Sequence, residues 1–157
     1  MGERVNRKPH IGVVGARKCS EAIEKLAFDV GYEIAKRGAI LICGGLTGVM
    51  EAACRGAKEA NGITVGILPG EDKVDANPYV DIPIVTGMSV ARNIIVVRSS
   101  DAIIAIAGKY GTLSEVAFAL NVGVPVIGLS TWDIDVPIIK AKTADDAVNK
   151  AFATIRQ

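Results

Sequence analysis

The sequence predicts a Rossmann-like, doubly wound α/β fold, in which helices cover both faces of a mostly parallel sheet. Short apolar segments alternate along the chain with longer segments whose apolar residues recur at helical spacing. The short segments are continuously apolar, which is typical of parallel strands that are buried on both faces. Right-handed crossovers between such strands place the helices on the two sides of the sheet.

The first part of the chain contains two predicted helices between three predicted strands. Ser20 is expected to cap the first helix and Gly38 to end it. The second helix is expected to begin near Val49, after the chain is broken by Gly44 and Gly45. The three strands are predicted at 11–15, 39–43 and 63–68.

The second part of the chain continues the alternation after a loop that is rich in Pro, Gly, Asp and Asn. Residues 88–99 are ambiguous, because Ile94 to Val97 favour a strand by propensity whereas a helix would preserve the alternation. The other predicted elements are an extended segment at 82–85, strands at 101–106 and 124–129, and helices around 113–120 and 144–155.

Composition indicates one globular domain over residues 1–157, of which residues 1–9 are expected to be flexible. Apolar residues make up 50% and charged residues 22%, which is not a disordered composition. The net charge of +1 does not indicate a basic face for nucleic acid, and 4% aromatic residues leave few platforms for base stacking. No nucleic-acid partner is therefore expected.

Membrane, secretory and metal-binding classes are also disfavoured. No apolar run approaches the roughly 20 residues of a membrane helix, and the amino-terminal residues lack the apolar core of a signal peptide. The three cysteines have no C-x-x-C spacing, and Cys43 and Cys54 are interpreted as small core residues. Because His10 is the lone histidine, no metal site is expected. The cytoplasm is the expected location.

Functional chemistry is expected in the strand-to-helix turns, since ligands of such sheets bind beyond the carboxyl ends of the strands. The turn from Gly15 to Ser20 is basic but is not a G-x-G-x-x-G motif. The second strand ends in Cys43-Gly44-Gly45, where a dinucleotide enzyme would place an acidic residue. A nicotinamide dehydrogenase is therefore disfavoured, and so is a P-loop NTPase, because its motif is missing.

The turn at residues 44–50 carries Gly44, Gly45 and Gly48. Glycines let a backbone approach a ligand closely, and the start of a helix offers N–H groups and positive potential. Contact with a phosphate or ribose is one interpretation. A tight turn that requires positive φ is the other.

The turn at residues 108–115 has the same design. Gly111 and Thr112 can donate to a phosphate at the start of a helix. Thr112 and Glu115 also fit a capping box. Because Glu115 lies about 200° around the helix from Leu113, it is predicted to face away from the core stripe. Capping and catalysis both remain open for this carboxyl group.

Arg92 and Asn93 follow in a largely apolar segment that precedes a strand. An arginine in such a segment needs an anionic partner to offset its desolvation. It is interpreted either as a surface side chain or as a clamp for an anion.

These turns resemble those of the Lonely Guy (LOG) proteins. The stretch Gly44-Gly-x-x-Gly-Val-Met resembles their G-G-x-x-G-[LV]-M turn, and Gly108 to Glu115 resembles their P-G-G-x-G-T-x-x-E motif. The resemblance implies hydrolysis of a nucleoside 5′-monophosphate to base and ribose 5-phosphate, with Arg92 and Glu115 as the catalytic pair and no required cofactor. The expected phosphate- or ligand-binding residues are Gly15, Gly44, Gly45, Gly48, Gly108, Lys109, Gly111 and Thr112.

The sequence departs from the LOG pattern at three positions. Ala107 replaces proline, Lys109 replaces the second glycine of P-G-G, and Asn93 replaces a lysine. If position 109 requires positive φ, a lysine there costs about 1–2 kcal/mol. The same lysine would otherwise add a charge for phosphate.

Other stretches resemble the molybdenum cofactor carrier proteins of the same superfamily, namely Glu51 to Ala60, Ile67 to Gly70 and Val80 to Gly87. This resemblance implies a non-catalytic carrier or sensor that binds a phosphate-bearing pterin. A nucleotide, a phosphate or a molybdopterin-type ligand is thus the expected occupant. Both resemblances imply a homodimer or a higher homo-oligomer, and enzyme and carrier remain alternatives.

Overall fold

The computed structural model describes residues 6–155, which form one seven-stranded sheet and five α-helices. Residues 1–5, which belong to the segment predicted to be flexible, lie outside this range. The strands are β1 (His10–Gly15), β2 (Ile40–Cys43), β3 (Thr64–Leu68), β4 (Ile82–Val85), β5 (Ala102–Ile106), β6 (Val126–Leu129) and β7 (Ile139–Ala141). The helices are α1 (Glu21–Lys36), α2 (Val49–Glu59), α3 (Arg92–Arg98), α4 (Tyr110–Asn121) and α5 (Ala144–Ile155).

The sheet has the strand order β4-β3-β2-β1-β5-β6-β7, and all of these neighbours pair in parallel. The chain builds outward from β1 to β4 and then returns to β5 on the other side of β1. This reversal is the switch point of a doubly wound sheet, where the turns after adjacent strands diverge and leave a crevice. Gly15 pairs with Ile106, so β1 and β5 end at the same level.

Helices cover both faces of the sheet. Successive strand residues point to opposite sides, so apolar strands present an apolar surface on each face. Val13 packs with α1, α2 and α5 on one face, and Val14 packs with α3 and α4 on the other. Both side chains are buried. Each such buried side chain contributes about 1.5–3 kcal/mol relative to an exposed one. The Rossmann-like α/β prediction is confirmed.

The ends of α1 follow the predicted signals. The Ser20 hydroxyl accepts a hydrogen bond from the N–H of Ile23 at 3.3 Å. Gly38 adopts φ +79°, the left-handed conformation that ends a helix at little steric cost. Helix α1 packs closely on α2, since a Cβ at Gly56 would lie 1.9 Å from the carbonyl oxygen of Phe28.

Two segments differ from the simplest sequence interpretation. Residues 88–99 contain a 3₁₀ turn at Ser89–Ala91 and then α3, so the helical alternative is correct despite the β-branched residues. Packing of Val96 and Val97 against the sheet overrides their strand propensity. Strand β7 was not predicted, because its three residues are partly exposed and include Lys140. Within residues 6–155, no helix combines the length and the apolar character needed to cross a membrane.

Candidate functional site

A cavity of about 390 Å³ opens at the carboxyl edge of the sheet, beside the switch point between β1 and β5. Its walls come from the turns that follow β1, β2 and β5 and from the first residues of α3 and α4. The sheet thus brings together segments that are far apart in sequence. The predicted site residues that line this cavity are Gly15, Gly44, Arg92, Lys109, Gly111, Thr112 and Glu115.

Arg92 and Glu115 face each other in the wall of the cavity. Arg92 is 6% exposed and Glu115 is 9% exposed, and the distance from Arg92 Nη1 to Glu115 Oε1 is 3.9 Å. Arg92 also donates from Nη2 to the carbonyl oxygen of Gly44 at 3.5 Å and from Nη1 to Asn93 Oδ1. A Cβ at Gly44 would lie 2.6 Å from Nη2, so a larger residue would displace the guanidinium group from this position.

The Nε atom of Arg92 is buried and finds no hydrogen-bond partner among the described residues. Buried polar groups are nearly always paired, and an orphaned donor costs the free energy of its desolvation. The side chain nevertheless lies in a cavity wall. The guanidinium group therefore retains an unpaired Nε donor that is itself closed off from solvent, while the residue lines the cavity.

Burial sets the protonation of the pair. Desolvation raises the pKa of Glu115 to about 7, and the nearby charge of Arg92 opposes this rise. Desolvation also lowers the pKa of Arg92, and Glu115 opposes that change. Near neutral pH the carboxyl group is divided between its acid and its carboxylate form, so it offers both a proton donor and an acceptor.

Other cations surround the pair. Arg17, Lys18 and Lys109 line the cavity together with Arg92, whereas Glu115 is the single carboxyl residue among its described lining residues. A concave site with this excess of positive charge attracts anions. Arg17 and Lys18 were not among the predicted site residues. The signal was present in the sequence, since both belong to the basic turn after β1.

The capping-box interpretation of Thr112 and Glu115, one of the two that the sequence left open, does not hold in the structure. Helix α4 begins at Tyr110 with Lys109 as its N-cap, and no side chain makes the cap hydrogen bond. The helix thus starts before the Thr-x-x-Glu pattern would place it, and Glu115 lies in its second turn. From there the carboxyl group cannot reach the free N–H groups of the first turn. It lies near Arg92 instead.

The turn before α4 has its positive φ values at Ala107 (+47°) and Gly108 (+114°), whereas Lys109 is extended with φ −122°. Lys109 is therefore not strained, and it adds a cation to the cavity without the cost of a positive φ. The LOG motif has proline at position 107. The proline ring holds φ near −65°, so the backbone of this turn departs from the one that a proline would impose.

Three predicted ligand-binding glycines do not line this cavity, although each is confined by its neighbours. A Cβ at Gly45 would lie 2.6 Å from Leu68 Cδ2, and one at Gly48 would lie 2.3 Å from the carbonyl oxygen of Ala16. Gly108 is similarly close to the side chain of Thr112. The tight-turn interpretation accounts for these glycines in the structure.

Comparison with known proteins finds close relatives along nearly the whole chain. An uncharacterised protein of Archaeoglobus fulgidus is 45% identical over 144 residues, which are 92% of this chain and 95% of the relative. The molybdenum cofactor binding protein of Rippkaea orientalis is 40% identical, with a TM-score of 0.91 over 96% of this chain and 99% of that chain. The molybdenum cofactor carrier protein of Chlamydomonas reinhardtii is 38% identical, with a TM-score of 0.89 over 96% of this chain and 100% of that chain.

These structures share the Rossmann-like fold described above and lie in the same LOG-like superfamily. Residues 8–155 match the family described as the SLOG cluster4 family. This range includes the cavity and every strand and helix named here. The chain therefore belongs to the SLOG cluster4 family.

Proposed function

We propose that this protein binds a phosphorylated pterin of the molybdenum cofactor type in the cavity beside the switch point and carries it without chemical turnover. The observation that carries the proposal is the charge of the cavity, in which four cationic side chains face one carboxyl group. The relatives of R. orientalis and C. reinhardtii, described as binding and carrying the molybdenum cofactor, support it.

The residues of the cavity fit the polar groups of such a ligand. Lys109 and the backbone at Gly111 lie at the start of α4, where N–H groups and the helix dipole favour a phosphate. Arg17 and Lys18 supply charge from the turn after β1. The cavity volume of about 390 Å³ lies within the range of small-molecule sites.

The buried pair would then hold the polar edge of the pterin. The guanidinium group of Arg92 and the acid form of Glu115 offer hydrogen-bond donors, and the carboxylate form offers acceptors. Because both side chains are already ordered by burial, a ligand loses little free energy in fixing them. The pterin and the phosphate would carry the binding energy, and no step of bond cleavage is needed.

Equilibrium binding of isolated molybdenum cofactor to the purified protein tests this function. Lys109→Ala is expected to weaken binding by roughly tenfold, as the loss of one charge-assisted contact to phosphate predicts. Lys36→Ala is the matched control, because Lys36 is exposed at the end of α1, on the opposite edge of the sheet. Absence of cofactor binding by the folded wild-type protein would refute the carrier function.

A nucleoside 5′-monophosphate phosphoribohydrolase is the second candidate, and one specific observation favours it. The pKa of Glu115, about 7, suits a general acid or base near neutral pH. Cleavage of an N-glycosidic bond builds positive charge at the sugar carbon C1′, which the carboxylate form would stabilise, as in glycosidases. Arg92 would orient Glu115 across their 3.9 Å separation.

The Glu115→Gln variant separates the two candidates. A hydrolase would release ribose 5-phosphate from a nucleoside monophosphate, and this release would vanish in the variant. A carrier would release none, and the variant would keep most of its affinity for the cofactor, since glutamine preserves the size and one donor of the acid form. Release that persists in the variant would exclude Glu115 as the catalytic carboxylate.

We also propose that the protein forms a homo-oligomer through the surface beside the cavity. Val90 and Ile94 are 74% and 45% exposed and line a shallow groove together with Phe118. Exposed apolar patches of this kind mark contact surfaces. Val90 also lines the cavity itself, so a partner subunit at this surface would lie close to the ligand.

A further inference from the structure

Cys43 and Cys54 lie side by side in the core, and Cys43 directly precedes Gly44 in the cavity wall. Their Sγ atoms are 3.5 Å apart, and both residues are fully buried. Cys43 is the last residue of β2, and Cys54 lies in the middle of α2. Residues 44–48, which we call the glycine turn, therefore lie between the two cysteines in the sequence.

The glycine turn connects this thiol pair to the cavity through hydrogen bonds. The N–H of Gly45 donates to Cys43 Sγ at 3.3 Å, and the carbonyl of Gly44 accepts from Arg92 at 3.5 Å. The Thr47 hydroxyl donates to the carbonyl of Arg17 at 3.0 Å. Gly44, Arg92 and Arg17 all line the cavity, so a displacement of the turn changes the position of ligand-facing groups.

We infer that Cys43 and Cys54 form a reversible disulfide and that its formation weakens anion binding in the cavity. Two thiols at van der Waals distance need only approach by about 1.5 Å to reach the S–S bond length of about 2.05 Å. The inference concerns the regulation of the site in the proposed function. The bond itself can be detected without any ligand.

The chemistry is thiol–disulfide exchange with a small disulfide oxidant, which reaches the buried pair when the chain around the glycine turn opens locally. The Cys43 thiolate attacks one sulfur of the oxidant and expels a thiolate, and Cys54 then displaces the second thiolate from the mixed disulfide. Two S–H bonds are lost and one S–S bond forms, while the oxidant takes up two electrons and two protons and leaves as two thiols. The hydrogen bond from Cys54 lowers the pKa of Cys43 against the effect of burial, which favours Cys43 as the attacking group.

The turn has little room in which to absorb this movement. A Cβ at Gly45 would already lie 3.1 Å from the Cα of Gly66, and a Cβ at Gly48 would lie 2.3 Å from the carbonyl oxygen of Ala16. Close-packed interiors transmit such displacements instead of compressing. The contraction at the sulfur atoms is therefore expected to move the Gly44 carbonyl away from Arg92 and to shift the Arg17 backbone.

The first test maps the bond. The full chain is oxidised with oxidised glutathione, and unreduced peptides are analysed by mass spectrometry. A peptide pair joined through Cys43 and Cys54, lost on treatment with dithiothreitol, is the expected result. Cys19→Ser keeps the pair and must still give this link, whereas Cys54→Ala must abolish it. Two free thiols at these positions after prolonged oxidation, or a link through Cys19 alone, would overturn the inference.

The second test measures the consequence with inorganic phosphate as the probe, titrated against backbone amide NMR signals. Oxidation is expected to weaken phosphate binding by about tenfold in the wild type, the effect of losing one charge-assisted hydrogen bond. Cys54→Ala and Cys54→Ser, each verified as folded by thermal unfolding, should bind phosphate equally before and after oxidation. An oxidised wild type with unchanged affinity would refute the regulation.

The two proposals can fail separately. If the reduced protein binds phosphate but not molybdenum cofactor, the carrier function fails, and the redox dependence of phosphate binding still decides this inference. If the cofactor binds and oxidation changes neither affinity, the inference fails and the carrier function stands.

Discussion

Glu115→Gln is expected to stabilise the folded protein at alkaline pH and to leave its stability nearly unchanged at acidic pH. Burial raises the pKa of Glu115 from 4.5 to about 7, so the folded protein holds this proton more tightly than the unfolded chain does. Stability therefore falls as the pH rises from about 4.5 towards 7, because ionisation is easier in the unfolded state. Glutamine resembles the neutral acid and removes this dependence.

The magnitude follows from the two pKa values. Each pKa unit corresponds to about 1.4 kcal/mol, so the difference between 4.5 and about 7 amounts to about 3 kcal/mol once the carboxyl group is fully ionised. This value already contains the attraction to Arg92, which opposes the rise. At about pH 8 the variant should exceed the wild type by about 3 kcal/mol, and at about pH 5 by less than about 1 kcal/mol.

Urea unfolding of both proteins across this pH range measures the effect, since other titrating groups cancel in the difference. Glu59→Gln is the control for the same substitution at an exposed position, because Glu59 is exposed at the end of α2. An advantage of Glu115→Gln that is equal at both ends of the range would show that the carboxyl group does not titrate there. A variant less stable than the wild type at alkaline pH would show that the ion pair with Arg92 outweighs the desolvation.

Three further predictions concern packing, backbone and assembly. Gly56→Ala should destabilise the protein by about 3 kcal/mol in urea unfolding, because its Cβ would lie 1.9 Å from the Phe28 carbonyl oxygen. Gly111→Ala is the control and should not destabilise it, because no atom lies within 4 Å of the new Cβ. Ala107→Pro should cost about 3 kcal/mol or more in the same assay, since proline cannot adopt φ +47°, and an unchanged midpoint would show that the turn before α4 relaxes freely. If the protein forms the proposed homo-oligomer, Ile94→Glu should reduce the molar mass measured by light scattering, because it places a charge in the exposed apolar groove. An oligomer of unchanged mass would place the contact elsewhere, and a wild type with the mass of one chain would refute the oligomer.

Much of the fold was accessible from the sequence because its signals are local. Continuous apolar segments predicted five of the seven strands, and β4 was predicted as an extended segment. Strand β7 was missed because Ile139 to Ala141 are too few and too polar for that signal. The Ser20 cap and the Gly38 stop bounded α1 correctly, since both act within one helical turn. The ambiguity at residues 88–99 was different in kind. Propensity and packing favour opposite conformations there, and packing prevails.

The site was predictable in part. A parallel sheet collects its strand-to-helix turns at one edge, so the convergence of Gly15, Gly44 and the turn before α4 follows from the fold class. The basic turn after β1 was recognised, but the contribution of Arg17 and Lys18 to the same cavity was not. Nothing in the local pattern of a turn says which neighbouring strand it will meet.

The sequence by itself therefore determined the fold class, most element positions and the edge of the sheet at which the cavity lies, since hydrophobic periodicity and turn residues act over a few positions. Only the tertiary structure decided that β1 lies beside β5 and that α3 packs against α4. This packing brings Arg92 within 3.9 Å of Glu115. It also decided that Cys43 and Cys54 touch beneath the glycine turn. Such contacts depend on the order in which strands pair across the whole chain, and the burial that raises the pKa of Glu115 exists only once that order is complete.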